Sequence, residues 1–269
     1  MRVIIRPKFG GLCPAGFMRD DERDVGRNGS SGAFPFLPED SEAILWRKLH
    51  DVAGQRYGIT SCLYCFSHSR HCLSHIDVLR GSVLIHSHPE EYISSFADDS
   101  FFRDDIVCSR LIGGEGYSLW SESPSWPKAT EAQRRKEEIY RRMSMSVGVS
   151  FAIPFFDGKG LAGLGLAASK TSVEEFNTLW REKSAEMQAM AAAFDAVMRP
   201  RMIANRFQLT PREREVLQLF AGGMSAKEVG HELAIKTKTV FNTMERSRKA
   251  MRAANTMEAV SKAMAFGLL

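Results

Sequence analysis

Lys238, Phe241, Asn242 and Glu245 recur at spacings of one, three and four, so on a helix they share one face, away from Val240 and Met244. Their chemistries are those that base edges in a DNA major groove demand. Asparagine can bond adenine twice, lysine can donate to guanine, glutamate can accept from cytosine, and phenylalanine can rest on a thymine methyl. Lys236, Thr239, Arg246 and Lys249 flank this set and suit phosphates, which fix register and supply salt-dependent affinity. The solvated face of a small helical bundle has the same composition, so residue types alone leave both readings open. A second set has metal-ligand chemistry: Cys62, Cys65, His68, His71, Cys72 and His75, with His86 and His88 nearby. Zinc wants four such ligands in a tetrahedron. Thr60 to His68 alternates like a strand, however, and the odd separation of Cys62 and Cys65 sends them to opposite faces. No metal is assigned to the cluster. Nucleophile elbows, Walker loops and dinucleotide fingerprints are absent from the sequence, and Gly158, Gly160, Gly163 and Gly165 read as turn and strand glycines. Neither catalysis nor a cofactor is expected.

The base-reading candidates need a helix held firmly from behind. Thr210, Pro211 and Glu213 combine an N-cap, a first-turn proline and a capping box. Val216, Leu217 and Phe220 follow on one apolar face, and Gly222 and Gly223 close the helix. Ser225 with Glu228 opens a second helix carrying Val229 and Leu233. Ile235 fills the turn, and Thr237 is the expected cap of the third, with Val240, Met244 and Met251 inward. Asn255 starts a fourth that ends near Gly267. Four short helices with tight connections match a helix-turn-helix whose recognition helix can enter a major groove.

Composition agrees. The chain has 269 residues, 44% hydrophobic and 25% charged, with a formal net charge of +4. From Arg206 onward there are 11 Lys and Arg against 6 Asp and Glu, a net +5, which leaves −1 for residues 1–205. All the positive excess sits in the last quarter, as in a polyanion-binding module attached to a neutral one. The longest apolar stretch, Val147 to Phe156, is too short to cross a bilayer. With no secretory signal apparent and an odd number of cysteines, the expected setting is cytoplasmic and reducing.

Residues 1–38 lack periodicity and read as a mobile extension. A helix is expected from Glu39 to Gly58, strands over Ile59 to His68 and Ser82 to His86, and a short helix between Pro89 and Ala97. Ser118 to Trp120 reads as a strand and Thr130 to Met143 as a charged surface helix. Gly148 to Phe155 and Gly160 to Ala168 form a hairpin through Asp157 and Gly158. Thr171 and Glu174 form a capping box for a helix carrying Phe176, Trp180, Met187, Met190, Phe194 and Met198, which Pro200 ends. The fold class is therefore α+β: an N-terminal α/β/α sandwich with an antiparallel sheet over 39–198, a linker over 199–208, and a C-terminal four-helix helix-turn-helix domain over 209–269. The long helix, through Trp180, Met187 and Phe194, is the candidate surface for a homodimer. Two recognition helices would then face sites one helical turn apart, or a multiple of it.

The string LTPREREVL over 209–217, GMSAKEV over 223–229, KTVFN over 238–242, Ala254 with Asn255, and the closing GLL over 267–269 resemble the LuxR-type helix-turn-helix. Glu213, Leu217 and Gly223 match that family's framework positions. The front half, from His88 and Tyr92 through Phe96, Asp105, Trp120 and Gly148, resembles the autoinducer-binding domain of quorum-sensing regulators. The resemblance implies a pocket for an acyl-homoserine lactone or related small molecule. Asp105 would accept the ligand's amide N–H, Tyr92 would stand where a tryptophan donates to the lactone carbonyl, and Phe96, Trp120 and Gly148 would shape the cavity. Tyr92 for tryptophan, Phe96 for tyrosine and Ile106 for proline are departures, and a site lacking expected partners discriminates against the usual ligand. An altered signal preference is expected, as in an orphan receptor. The alternative is a ligand-independent protein that pairs with other regulators, its pocket packed as ordinary core.

Overall fold

The computed structural model describes residues 34–69, 82–89, 92, 105–155, 158 and 160–269. Residues 1–33, the expected helix near Ala97, and Phe96, His71, Cys72 and His75 lie outside them. Helix α1 (Glu42–Tyr57) starts where Ser41 accepts the Ile44 N–H and stops where Gly58 turns left-handed, at φ 67°. A non-glycine residue there would be strained. Strands β1 (Ser61–Ser67) and β2 (Ser82–His86) follow, then α2 (Ile106–Ile112) and β3 (Tyr117–Leu119). A 3-10 segment (Trp120–Ser125) leads to α3 (Glu131–Arg142), β4 (Gly148–Pro154) and β5 (Leu161–Ala167). The sheet is antiparallel, in the order β2-β1-β5-β4-β3. Trp120 begins the 3-10 segment instead of ending a strand.

Alternation assigns the two sheet faces. Tyr64 and Leu164 are cross-strand partners, as are Phe151 and Leu164, and all three are buried under α4 (Val173–Arg206). Here Phe194 meets Tyr64 edge to face at 5.3 Å, while the Tyr64 hydroxyl donates to Asp195 at 2.6 Å. The other face carries Leu63, Gly165 and Ser150 in one row and is covered by α2, α3 and the 3-10 segment.

Helix α4 departs from expectation in three ways. Its capping box is Ser172 with Glu175, one residue later than Thr171 with Glu174; both pairs have the right spacing, and local sequence cannot choose between them. It also runs through Pro200 to Arg206, so most of the expected linker is helical. Proline removes one backbone bond, but buried Met202 and Ile203 and the bonds from Asn205 and Arg206 to Glu42, at 2.8 and 2.6 Å, hold the following turns. Finally, Trp180, Met187 and Phe194 are buried against the sheet within one chain, so they are not a free dimer surface. Phe36, within the segment expected to be a mobile extension, is buried and contacts Phe194 at 5.4 Å.

The C-terminal part comprises α5 (Pro211–Ala221), α6 (Ala226–Glu232), α7 (Thr237–Ala250) and α8 (Thr256–Ala265). Capping boxes at Thr210 and Ser225 form with Glu213 and Glu228, and Asn255 accepts the Glu258 N–H. Thr237 is helical; Lys236 is the N-cap and makes no side-chain bond there. Helix α8 reaches the front half through Phe266, which lies 4.9 Å from Phe207 and 5.8 Å from Phe66, and also packs near Phe155. No helix of the described residues is long and apolar enough to cross a membrane.

Candidate functional site

Helix α7 owes its orientation to the face it hides. Val240, Thr243, Met244 and Ser247 are buried against the neighbouring helices. Glu213, the capping residue of α5, also lies 3.4 Å from Arg246. What remains outside is the row Lys238, Thr239, Phe241, Asn242, Glu245, Arg246 and Lys249, all exposed. Phe241 is 60% exposed, a cost in water that burial against another surface would remove. Glu245 pairs with Arg248 at 2.7 Å and Lys249 at 3.7 Å. These exposed pairs are worth roughly 0–1 kcal/mol, so they yield readily to a nucleic-acid partner.

The second constellation lies on the sheet face beneath α2 and α3. Asp105 is the N-cap of α2 and accepts the Cys108 N–H at 2.6 Å. Burial pushes its carboxyl above the usual range, opposed by hydrogen bonding from Cys108 and by the charge of Lys136. Tyr92, Trp120, Tyr140, Met145 and Ala167 form a buried cluster with Leu63, Leu84, Val107 and Met143 against it. The Tyr92 and Tyr140 rings are 5.0 Å apart. His88 stands 5.2 Å from Tyr92, its Nδ1 2.7 Å from the Ser61 hydroxyl. Burial, then the neighbouring His86 and His50, bring His88 down to about 3, so it is neutral at physiological pH. Trp120 donates through Nε1 to Ser150 at 2.9 Å.

Gly148 sets the closeness of that packing. A Cβ there would lie 2.3 Å from the Leu166 carbonyl oxygen and 2.9 Å from the Trp120 ring. Gly148→Ala is therefore expected to destabilise the fold by about 1–3 kcal/mol, read as a lower thermal midpoint with altered tryptophan fluorescence.

The structure brings together Tyr92, Asp105, Trp120, His88 and Gly148. Two members that the sequence reading missed are Tyr140 and Glu137. Helix α3 is not a plain surface helix: Gln133, Glu137 and Tyr140 are buried while Ile139 is 44% exposed. Their i, i+4, i+7 spacing was the available signal, concealed because two of the three are polar. Among the described residues no group of three His, Cys, Asp or Glu could hold a metal; His71, Cys72 and His75 lie outside them. Two surface grooves are lined by residues around Leu209 and Gln218 and around Tyr117 and Trp180; neither lining includes Asp105.

Residues 41–197 match the family described as Autoinducer binding domain, and residues 208–263 match GerE, the bacterial regulatory proteins of the luxR family. RpaR, an HTH-type quorum sensing-dependent transcriptional regulator of Rhodopseudomonas palustris, is 27% identical over 186 residues, 67% of this chain and 72% of RpaR. The transcriptional regulatory protein DesR of Bacillus subtilis is 41% identical over 54 residues, 20% of this chain and 27% of DesR. Escherichia coli SdiA shares the fold, with a TM-score of 0.54 at 16% identity over 85% of this chain and 92% of SdiA. SdiA in complex with octanoyl-rac-glycerol gives a TM-score of 0.51 at 16% identity, covering 85% of this chain and 90% of that one. With an autoinducer binding domain matching more than half its length and the helix-turn-helix following it, the chain belongs to the luxR family of bacterial regulatory proteins and is a transcriptional regulator of the quorum-sensing type.

Proposed function

We propose that the chain reads DNA through Lys238, Phe241, Asn242 and Glu245, is anchored on phosphates by Thr239, Arg246 and Lys249, and acts in the cytoplasm as a homodimer. The exposure of that row, on a helix otherwise locked into the domain, carries the reading. Asn242→Ala should remove about 1–3 kcal/mol of sequence discrimination, whereas Lys249→Ala should weaken binding to all duplexes and lower the salt slope by about one. Salt-titrated binding to a library-selected duplex and to a random one checks this. Equal effects of both variants on both duplexes would overturn the division of roles.

The cluster around Asp105 is read as the seat of an acyl-homoserine-lactone-like signal, with the amide donating to Asp105. A buried carboxylate is costly without such a donor. Tyr92, lacking the indole donor, supports an altered signal preference of the orphan kind. A second reading, a ligand-independent regulator that pairs with other family members, is favoured by the mutual packing of Tyr92, Tyr140 and Met145. A thermal-shift screen of the full chain against acyl lactones and acyl conjugates separates the two, because a ligand at a hundredfold excess over Kd adds about 2.7 kcal/mol. No shift with any of them, together with co-purification of mixed dimers, would favour the second.

A further inference from the structure

The chemistry facing Asp105 goes further than one acceptor for one amide. Glu137 is 6% exposed and makes no hydrogen bond or ion pair among the described residues. It sits on the buried stripe of α3, one turn from Tyr140, which lies close to Asp105. The same stripe is fixed against α2 by Gln133, which donates to Ser109 at 3.1 Å. Glu137 is near enough to Tyr92 and Asp105 for its charge to act on the first and to feel that of the second.

An independent observation lies on the sheet below. Ser118 is fully buried, and its hydroxyl has no partner among the described residues. It is the cross-strand partner of Ser150, so the two side chains share a face. Ser150 bonds Trp120, which places the Ser118 hydroxyl on the side of the sheet where the cluster lies. The region therefore holds two buried carboxylates and an unused hydroxyl. A neutral acyl lactone offers one amide N–H and several carbonyl-type acceptors. Its donor would serve Asp105 and leave Glu137 uncompensated in a low-dielectric setting. An ammonium group brings three donors and the opposite charge.

We propose that Glu137 is a specificity-determining residue of the sensor and that the site selects an acylated amine, a fatty acyl amide ending in a protonated nitrogen, over a neutral acyl lactone. The proposal rests on reading the Asp105 cluster as the ligand site. Its charge economy is consistent. Burial, then the Asp105 charge, push Glu137 up to about 7, opposed by Arg141. The groups that face this carboxylate pair are Asp105 and Cys108 at the start of α2, Tyr92, and Lys136, Tyr140 and Arg141 of α3. Only a cationic ligand gains when Glu137 ionises, so its binding should strengthen as pH rises through about 7, while a primary amine stays protonated until about 10.

Calorimetric titration of the full chain with N-octanoylputrescine and N-octanoylhomoserine lactone tests this. Wild type should bind the putrescine conjugate at least about tenfold tighter, or about 1.4 kcal/mol, with the margin widening from about pH 6 to about pH 8. Glu137→Gln, close in shape, should erase most of that margin and leave lactone affinity within about twofold. Tighter lactone binding by wild type, or an equal loss for both probes in the variant, would overturn the proposal. Asp105→Asn separates the two levels of argument. If it weakens whichever probe binds while Glu137→Gln changes nothing, only the amine preference falls. If neither probe binds wild type, the ligand-site reading falls with it.

Discussion

Phe194→Ala is expected to destabilise the front half by roughly 3–5 kcal/mol, the range for emptying a large buried ring. Phe194 is fully buried, and three other rings close on it: Phe36 at 5.4 Å, Tyr64 at 5.3 Å and Trp46 at 6.2 Å. These come from the segment before α1, from β1 and from α1, so the ring is the point where α4 clamps sheet and first helix together. Neighbours anchored on three separate elements cannot all move inward, and the cavity term stays large. Directly beside it, Asp195 bonds both Tyr64 and Arg199 at 2.6 Å, a buried network whose geometry depends on the same turn. Thermal melting should show the loss as a fall of about 10 °C or more in the midpoint. A midpoint unchanged within error would mean that this ring is not the clamp.

Glu258→Ala is expected to cost about as much, roughly 3–5 kcal/mol, because it removes one partner of a nearly buried ion pair. The Lys262 side chain is 1% exposed. Its ammonium is held by Glu258 at 2.6 Å and by the Arg252 carbonyl at 2.9 Å, and its charge also disfavours protonation of nearby His68. Without Glu258 the ammonium keeps a single carbonyl. The Ala254 N–H, which donates to Glu258 at 2.6 Å, is lost as a capping bond too. Burial raises the Glu258 pKa, but the Lys262 hydrogen bond, the Ala254 N–H and the Lys262 charge outweigh it, and the net direction is down. A lowered folded pKa means that this contribution is present above the unfolded value, about 4.3, and is lost as pH falls through the lower folded one. Urea unfolding at neutral pH should separate the variant from wild type, and the gap should close on strong acidification. A gap that persisted unchanged in acid would show that the ion pair is not its source. Replacing Lys262 by methionine along with Glu258→Ala should recover much of the loss, since a buried pair exchanged for apolar groups is often neutral.

What the sequence made legible was local. The boxes at Thr210 and Ser225, the turn at Gly58 and the hairpin at Gly158 each depend on residues within a few positions of one another, and so does the exposed row on α7, which follows from helical period alone. The boxes at Thr171 and Ser172 had equal local claims, and the fold took the second. Pro200 carried a strong local stop signal, overruled by Glu42 from far up the chain through Asn205 and Arg206. Helix α4 has an apolar stripe that one sequence cannot apportion between a sheet and a second copy. Glu137 escaped notice because a glutamate in a run of charges gives no sign of facing inward; only the placement of α3 over Asp105 reveals it.

Phe266 gives the order of synthesis a physical meaning. The rings it covers, Phe66 and Phe155, belong to strands or strand ends made much earlier. N-terminal units fold first as a chain leaves the ribosome, so those rings wait for the cover of Phe266 until about 200 and about 110 further residues, respectively, have been made. A chain stopped before Phe266 would leave a sensor with a permanent oily scar, the kind of surface that invites association.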